Sequence, residues 1–312
     1  MSTTPQILCL GEILVEIMRT ERDVPLDRAG TFAGPFPSGA PAIFIDAAAR
    51  LGVSTGYVAV CGDDAFGRVN LARLQSSGVD TSRMRIAPGH TTGIAFVSYR
   101  ADGSREFLFH LRQSAAALLE PGDVDPAWFS QAAWLHITGT ALSLSDSSRQ
   151  ACYRAAELAY EHHRTISLDP NLRPELLGVE QVRKICAPIL SKTKVVLPSG
   201  AEAAMLTGLD DLDQACRALL EMGPEIVVLK RGELGSKLFT TQQEVEVPSI
   251  QVTEVDPTGA GDCFSAGFAV ACLENMPLAE AARFANIVGA LSVTRLGPME
   301  GAPTRAEVER YL

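Results

Sequence analysis

The chain has 312 residues, 46% of them hydrophobic and 21% charged, with a formal net charge of -10. That is enough chain and apolar content for one large α/β domain with a sizeable core, and it argues against disorder. The acidic balance repels nucleic acid and anionic lipid, so neither is an expected partner.

The apolar run Ile7 to Leu10, ending at Gly11, reads as a buried strand, and residues 13 to 18 continue it with alternation. Pro and Gly crowd residues 25 to 41, a loop-rich excursion. Residues 42 to 51 read as a helix stopped by Gly52, residues 55 to 60 as a strand, and residues 66 to 77 as an amphipathic helix closed by Gly78. Two strand-like runs, 92 to 99 and 105 to 111, flank Asp102-Gly103, a hairpin signal. With residues 13 to 18 and 31 to 36 they are expected to form a small antiparallel β lid. Strands at 133–137, 165–168, 195–197 and 226–229 then alternate with helices at 146–162, 179–190 and 212–222. A hairpin at 236–239 and 244–247 and helices at 260–273 and 278–291 follow. This alternation predicts an α/β fold with a mostly parallel central sheet, helices on both faces, and ligands beyond the C-terminal ends of the strands. With no repeat, low-complexity tract or linker, a single domain spanning 1–312 is expected, the lid inserted in it.

Seven cysteines are scattered without a Cys-x-x-Cys pair, and the histidines complete no metal spacing. They read as buried thiols in a reducing cytosol. The first residues lack a basic region followed by an apolar stretch, and no apolar run reaches the roughly 20 residues of a membrane span. A cytoplasmic protein is expected.

The chemistry concentrates in Asp256-Pro257-Thr258-Gly259-Ala260-Gly261-Asp262. Glycines allow a sharp turn and close backbone approach to a ligand. The first amides of the following helix lack intrahelical acceptors, and the helix dipole adds positive charge, so the run forms an anion cradle suited to phosphoryl transfer. Asp262, in the first helical turn, can take a proton from a hydroxyl held against the cradle; the alternative is that it only caps the helix. A Walker A loop is excluded because no Gly-Lys-Ser/Thr follows. A dinucleotide fingerprint needs a third glycine where Phe264 stands.

This run resembles the C-terminal signature of the PfkB, or ribokinase-like, carbohydrate kinase family. The resemblance extends over nearly the whole chain: Gly11-Glu12, Ser38-Gly39-Ala40-Pro41-Ala42, the segment Gly62 to Gly67, Asp169-Pro170-Asn171-Leu172-Arg173, and Ser199-Gly200-Ala201-Glu202 in place of Asn-x-x-Glu. It implies ATP-dependent transfer to a sugar hydroxyl, with Asp262 as base and Gly259, Ala260 and Gly261 as anion hole. Glu202 would hold Mg²⁺ through water. Ser199, Lys230, Gly232, Gly235 and Thr258 would lie along the nucleotide, with Asn286 near the adenine or ribose. Asp256 and Thr258 would belong to a monovalent-cation loop, with K⁺ as its ion. Glu16, Gly39, Asn171 and Arg173 would face the sugar, joined by Ser38, Ala40 and Ile43 of the second motif and by Phe96, Phe109 and Arg112 of the lid. Three departures bear on specificity: Ser38 replaces a Gly, Ile43 stands where many members carry a substrate-binding Asn, and Ser199 replaces an Asn.

The lid region also resembles that of 2-keto-3-deoxygluconate kinases, but Arg112 stands one residue nearer the Ser-Ala pair. The closer likeness is to members acting on neutral ketohexoses, tagatose kinase among them. A nucleoside kinase of the same family, a sugar-binding protein without turnover, and a nicotinamide dehydrogenase are the other readings. Phe32, Phe36, Ile94, Phe96, Phe107 and Phe109 exceed what a small sheet open to water would carry, so a homodimer through the lid is expected.

Overall fold

The apolar runs of the sequence become strands in the computed structural model, which describes residues 4–101, 104–172 and 178–312. In chain order the first are β1 (Ile7–Leu10), β2 (Leu14–Arg19), β3 (Phe32–Ser38), β4 (Thr55–Val58), β5 (Val60–Gly62), β6 (Arg85–Ala87), β7 (Gly93–Tyr99) and β8 (Arg105–His110). Then come β9 (Trp134–Thr138), β10 (Thr165–Asp169), β11 (Val195–Val196), β12 (Ile226–Lys230), β13 (Ser236–Phe239) and β14 (Glu244–Val247).

Eight of these form the central sheet, in the order β14-β13-β12-β11-β10-β9-β1-β4. From β12 to β4 every pairing is parallel, and the β13–β14 hairpin adds an antiparallel edge. Alternation along the strands loads both faces. Ile7, Cys9, Tyr57 and Val228 pack with the helices Ala40–Arg50, Ala260–Leu273 and Leu278–Ser292. Leu8, Leu10, Ile166 and Val227 pack with the helices Asp146–Glu161, Val179–Leu190 and Leu212–Glu221. Burial on both sides is why these strands read as continuous apolar runs.

The lid is a four-stranded sheet in the order β3-β2-β7-β8. Its outer pairings are antiparallel as expected, but β2 and β7 run parallel, Leu14 opposite Gly93. Chain order could not reveal this, because the two strands meet after a long excursion through the central sheet. The stretch read as loop-rich holds β3, an edge strand that tolerates Pro35 and Pro37 because edge positions need no ladder donor. The strand expected over 55–60 is broken, β4 staying in the central sheet and β5 turning away to pair with β6. The Asp102-Gly103 turn lies outside the described residues.

Candidate active site

A cleft of about 760 Å³ runs between the lid and the C-terminal ends of the central strands. At its centre is the start of the helix Ala260–Leu273. Gly259 precedes that helix with φ +82°, a conformation that favours glycine, and a Cβ there would stand 2.5 Å from the Pro298 carbonyl. The cradle therefore depends on Gly259 for both conformation and space. Asp262 follows in the first turn, 7% exposed, with Asn171 Nδ2 donating to its Oδ1 at 3.2 Å.

Beneath the cradle is a buried charge cluster. Lys230 Nζ donates to Asp169 Oδ2 at 2.5 Å, and Ser265 Oγ donates to the same oxygen at 3.0 Å. A Cβ on Gly261 would lie 3.3 Å from that ammonium, so Lys230 adds a full positive charge at the anion hole. Burial pushes the lysine toward neutrality, but Asp169, Glu202 and Asp262 outweigh it and hold its pKa above the ordinary value. Glu202 accepts from the backbone amides of Leu172 at 2.8 Å and Ser199 at 2.7 Å, and from Ser199 Oγ at 2.9 Å. Burial and the nearby Asp169 carboxylate raise its pKa. Three carboxylates around one ammonium leave excess negative charge, a setting that accepts a cation. Among the described residues no three His, Cys, Asp or Glu converge to hold a metal by themselves.

The lid forms the other wall. Phe107 and Phe109 stack at 5.4 Å and line the cleft with Arg105, Leu14 and Leu111. Facing them are Glu12, Glu16 and Ser38, whose hydroxyl donates to Glu16 Oε1 at 2.6 Å. Gly39, Ala40, Ile43 and Asn171 complete this end. The cleft is also lined by Ser199, Gly232, Gly235, Thr258 and Asn286. The Asn286 amide nitrogen is spent on the carbonyls of Val247 and Pro248, so it ties β14 to its helix.

Two expected residues are placed otherwise. Phe96 is on the opposite face of the lid, edge-on to Phe32 and His110, because Ala95 is the residue opposite Phe109 in the ladder. Arg112 is exposed and outside the cleft lining, since β8 ends at His110 and the strand alternation ends with it. Arg173 lies outside the described residues. Asp256 is fully buried beneath the loop and does not line the cleft. Sequence reasoning missed Arg105 and Tyr99, and it left Asp169 without a role. For Arg105 the signal existed, two residues before Phe107 on the same strand face. Asp64, in the segment Gly62 to Gly67, caps the helix Ala65–Ser76 and accepts from the Thr92 amide at 2.7 Å, a structural role.

The profile of the pfkB family carbohydrate kinases matches residues 4–305. Fructokinase-1 of Oryza sativa subsp. japonica is 34% identical, covering 98% of this chain and 97% of its own. Among solved structures, a ribokinase II candidate from E. coli in complex with ATP and Mg²⁺ superposes with TM-score 0.92, 37% identity and 98% coverage of both chains. Fructokinase from Vibrio cholerae O395, bound to fructose, ADP and calcium, gives 0.87 with 26% identity and 99% coverage of both.

Proposed function

The chain belongs to the pfkB family of carbohydrate kinases, and on that premise we propose a kinase for a neutral ketohexose, fructose first among the candidates. It is an ATP-dependent sugar kinase, moving the γ-phosphoryl group of ATP to a sugar hydroxyl. The observation that carries the assignment of roles is Asp262 beside the Gly259–Gly261 cradle, where the lid end and the Lys230–Gly235 end of one cleft meet.

In this reading a sugar hydroxyl rests against Asp262. Its oxygen bonds to phosphorus as the bond to ADP breaks, and its proton passes to the carboxylate. The cradle amides and Lys230 take up charge on the moving group. A divalent cation, Mg²⁺ first, would be met through water by Glu202 and would neutralise the ATP phosphates. Phe107 and Phe109 shield the reacting atoms from water.

A neutral sugar is supported by charge. Glu12 and Glu16 line the lid end and disfavour an anionic substrate. Among the described residues the cations lining the cleft are Arg105, bonded to Thr258, and Lys230 and Arg231 at the nucleotide end. ADP release across ketoses, aldoses, sugar acids and nucleosides tests this. A neutral ketohexose should give a kcat/KM at least about tenfold above 2-keto-3-deoxygluconate and nucleosides. A sugar acid ranking first would replace the reading.

The same proposal covers three further points. The chain acts as one kinase unit over residues 1–312, in the cytoplasm. It pairs as a homodimer through the outer lid face, where Phe32 is 37% and Leu108 48% exposed. Because the side chains of Asp256 and Thr258 are engaged with Tyr99, Arg105 and backbone amides, K⁺ at that loop would be held by backbone carbonyls.

A further inference from the structure

Tyr99 and Arg105 face each other in the ladder of the lid hairpin. Both reach one atom of the cradle loop, Thr258 Oγ1, each at 3.1 Å. Tyr99 also donates to Asp256 Oδ1 at 2.8 Å. Counting protons fixes the direction of the chain. The carboxylate accepts, so the single phenolic proton of Tyr99 points at Asp256. Tyr99 must then accept from the Thr258 hydroxyl, and Thr258 in turn accepts from the Arg105 guanidinium, which can only donate. Burial raises the Tyr99 pKa, with the Asp256 carboxylate adding to it, so the phenol keeps its proton. Asp256 is fully buried and is otherwise bonded to the amides of Thr258 at 3.0 Å and Gly297 at 2.9 Å.

We propose that Arg105, Thr258, Tyr99 and Asp256 form a one-way hydrogen-bond relay that seats the lid on the anion cradle, making Tyr99 and Arg105 positioning residues for phosphoryl transfer. The relay starts on a guanidinium and ends on a carboxylate, so each internal bond is polarised in the same sense. Thr258 immediately precedes Gly259, whose left-handed conformation starts the cradle, so a shift at Thr258 is passed to the anion hole. Lifting the lid strands removes two partners from Thr258 and one from Asp256. Lid seating and cradle geometry are therefore one equilibrium. Its role in catalysis rests on the kinase reading above.

The test separates a relay from general structural support. Thr258→Val removes the hydroxyl at nearly constant volume. It should raise the fructose KM about tenfold and raise ATP hydrolysis relative to sugar phosphorylation at least about fivefold, because an unseated lid admits water. Thr258→Ser keeps the hydroxyl and should recover most of the ratio. Arg105→Met, at an exposed position, should act in the same direction, and the double variant should be no worse than the worse single. Hydrogen exchange of the β8 amides, which needs no turnover, should quicken in both single variants. A hydrolysis ratio within about twofold of wild type in both, or fully additive effects, would overturn the relay. A wild-type enzyme inactive on every sugar, with the exchange changes still present in the variants, would instead sink the kinase reading and leave the seating contact standing.

Discussion

Replacing Lys230 with methionine should destabilise the fold and weaken phosphate binding together. Lys230 and Asp169 are 9% and 2% exposed at their side chains, and their charged atoms are 2.5 Å apart. Methionine nearly keeps the volume, so the change isolates the charge. Asp169 would keep Ser265 Oγ at 3.0 Å and the Asn171 amide at 3.2 Å, but it would face Glu202 and Asp262 without a counter-ion. Removing one partner of a buried pair costs about 3–5 kcal/mol. At about 2–4 °C per kcal/mol, the melting temperature should drop by roughly 6–20 °C. The sign follows from linkage. The folded pKa of Lys230 is raised, so its contribution is fully present below about pH 10 and is lost only as pH rises through the folded value. A melting assay at pH 7.5 therefore reads all of it. Lys230→Met/Asp169→Asn should recover at least half the loss, because the carboxylate that Lys230 contacts directly is removed together with it. Calorimetry should show affinity losses growing from AMP to ADP to ATP. A drop under about 2 °C, or equal losses for the three nucleotides, would refute the claim that Lys230 is the charge of the cradle.

Burial holds the His136 pKa down near 3, so the native protein keeps a neutral ring, and its contribution is lost as pH falls below the unfolded value of about 6.5. His136→Asn should flatten the acid loss of stability by up to about 1.4 kcal/mol per pH unit between pH 6 and 4, read by urea unfolding; parallel curves would remove His136 from the acid response. Glu202→Ala should raise the Mg²⁺ concentration for half-maximal rate several-fold, and an unchanged titration would leave Glu202 as a brace for Leu172 and Ser199. Phe96→Asp places a charge on the outer lid face and should weaken the dimer while leaving sugar specificity alone; sedimentation at micromolar concentration reads it, and a wild-type monomer with full activity would remove the dimer.

The central sheet was legible because its strands are apolar runs and some helices carry their own stops, as Ala40–Arg50 and Ala65–Ser76 end just before Gly52 and Gly78. Short helices such as Gly139–Leu144 and Glu202–Thr207 left no period long enough to read. The Asp256–Asp262 run was legible because turn, cradle and base are local. The lid was half legible: alternation grouped Phe107, Phe109 and Leu111, but only the register against β7 shows that Phe96 faces away. The Arg105–Thr258 contact joins residues 153 apart, and no local pattern encodes it.

The most direct test of the whole account is Asp262→Asn, assayed for phosphoryl transfer to the best ketohexose and for ATP binding in parallel. The asparagine keeps the size but cannot take the proton from the sugar hydroxyl. Turnover should fall about 10²-fold or more with ATP affinity nearly unchanged. Turnover within about threefold of wild type would contradict the account, because the cradle would then be working without the base placed beside it.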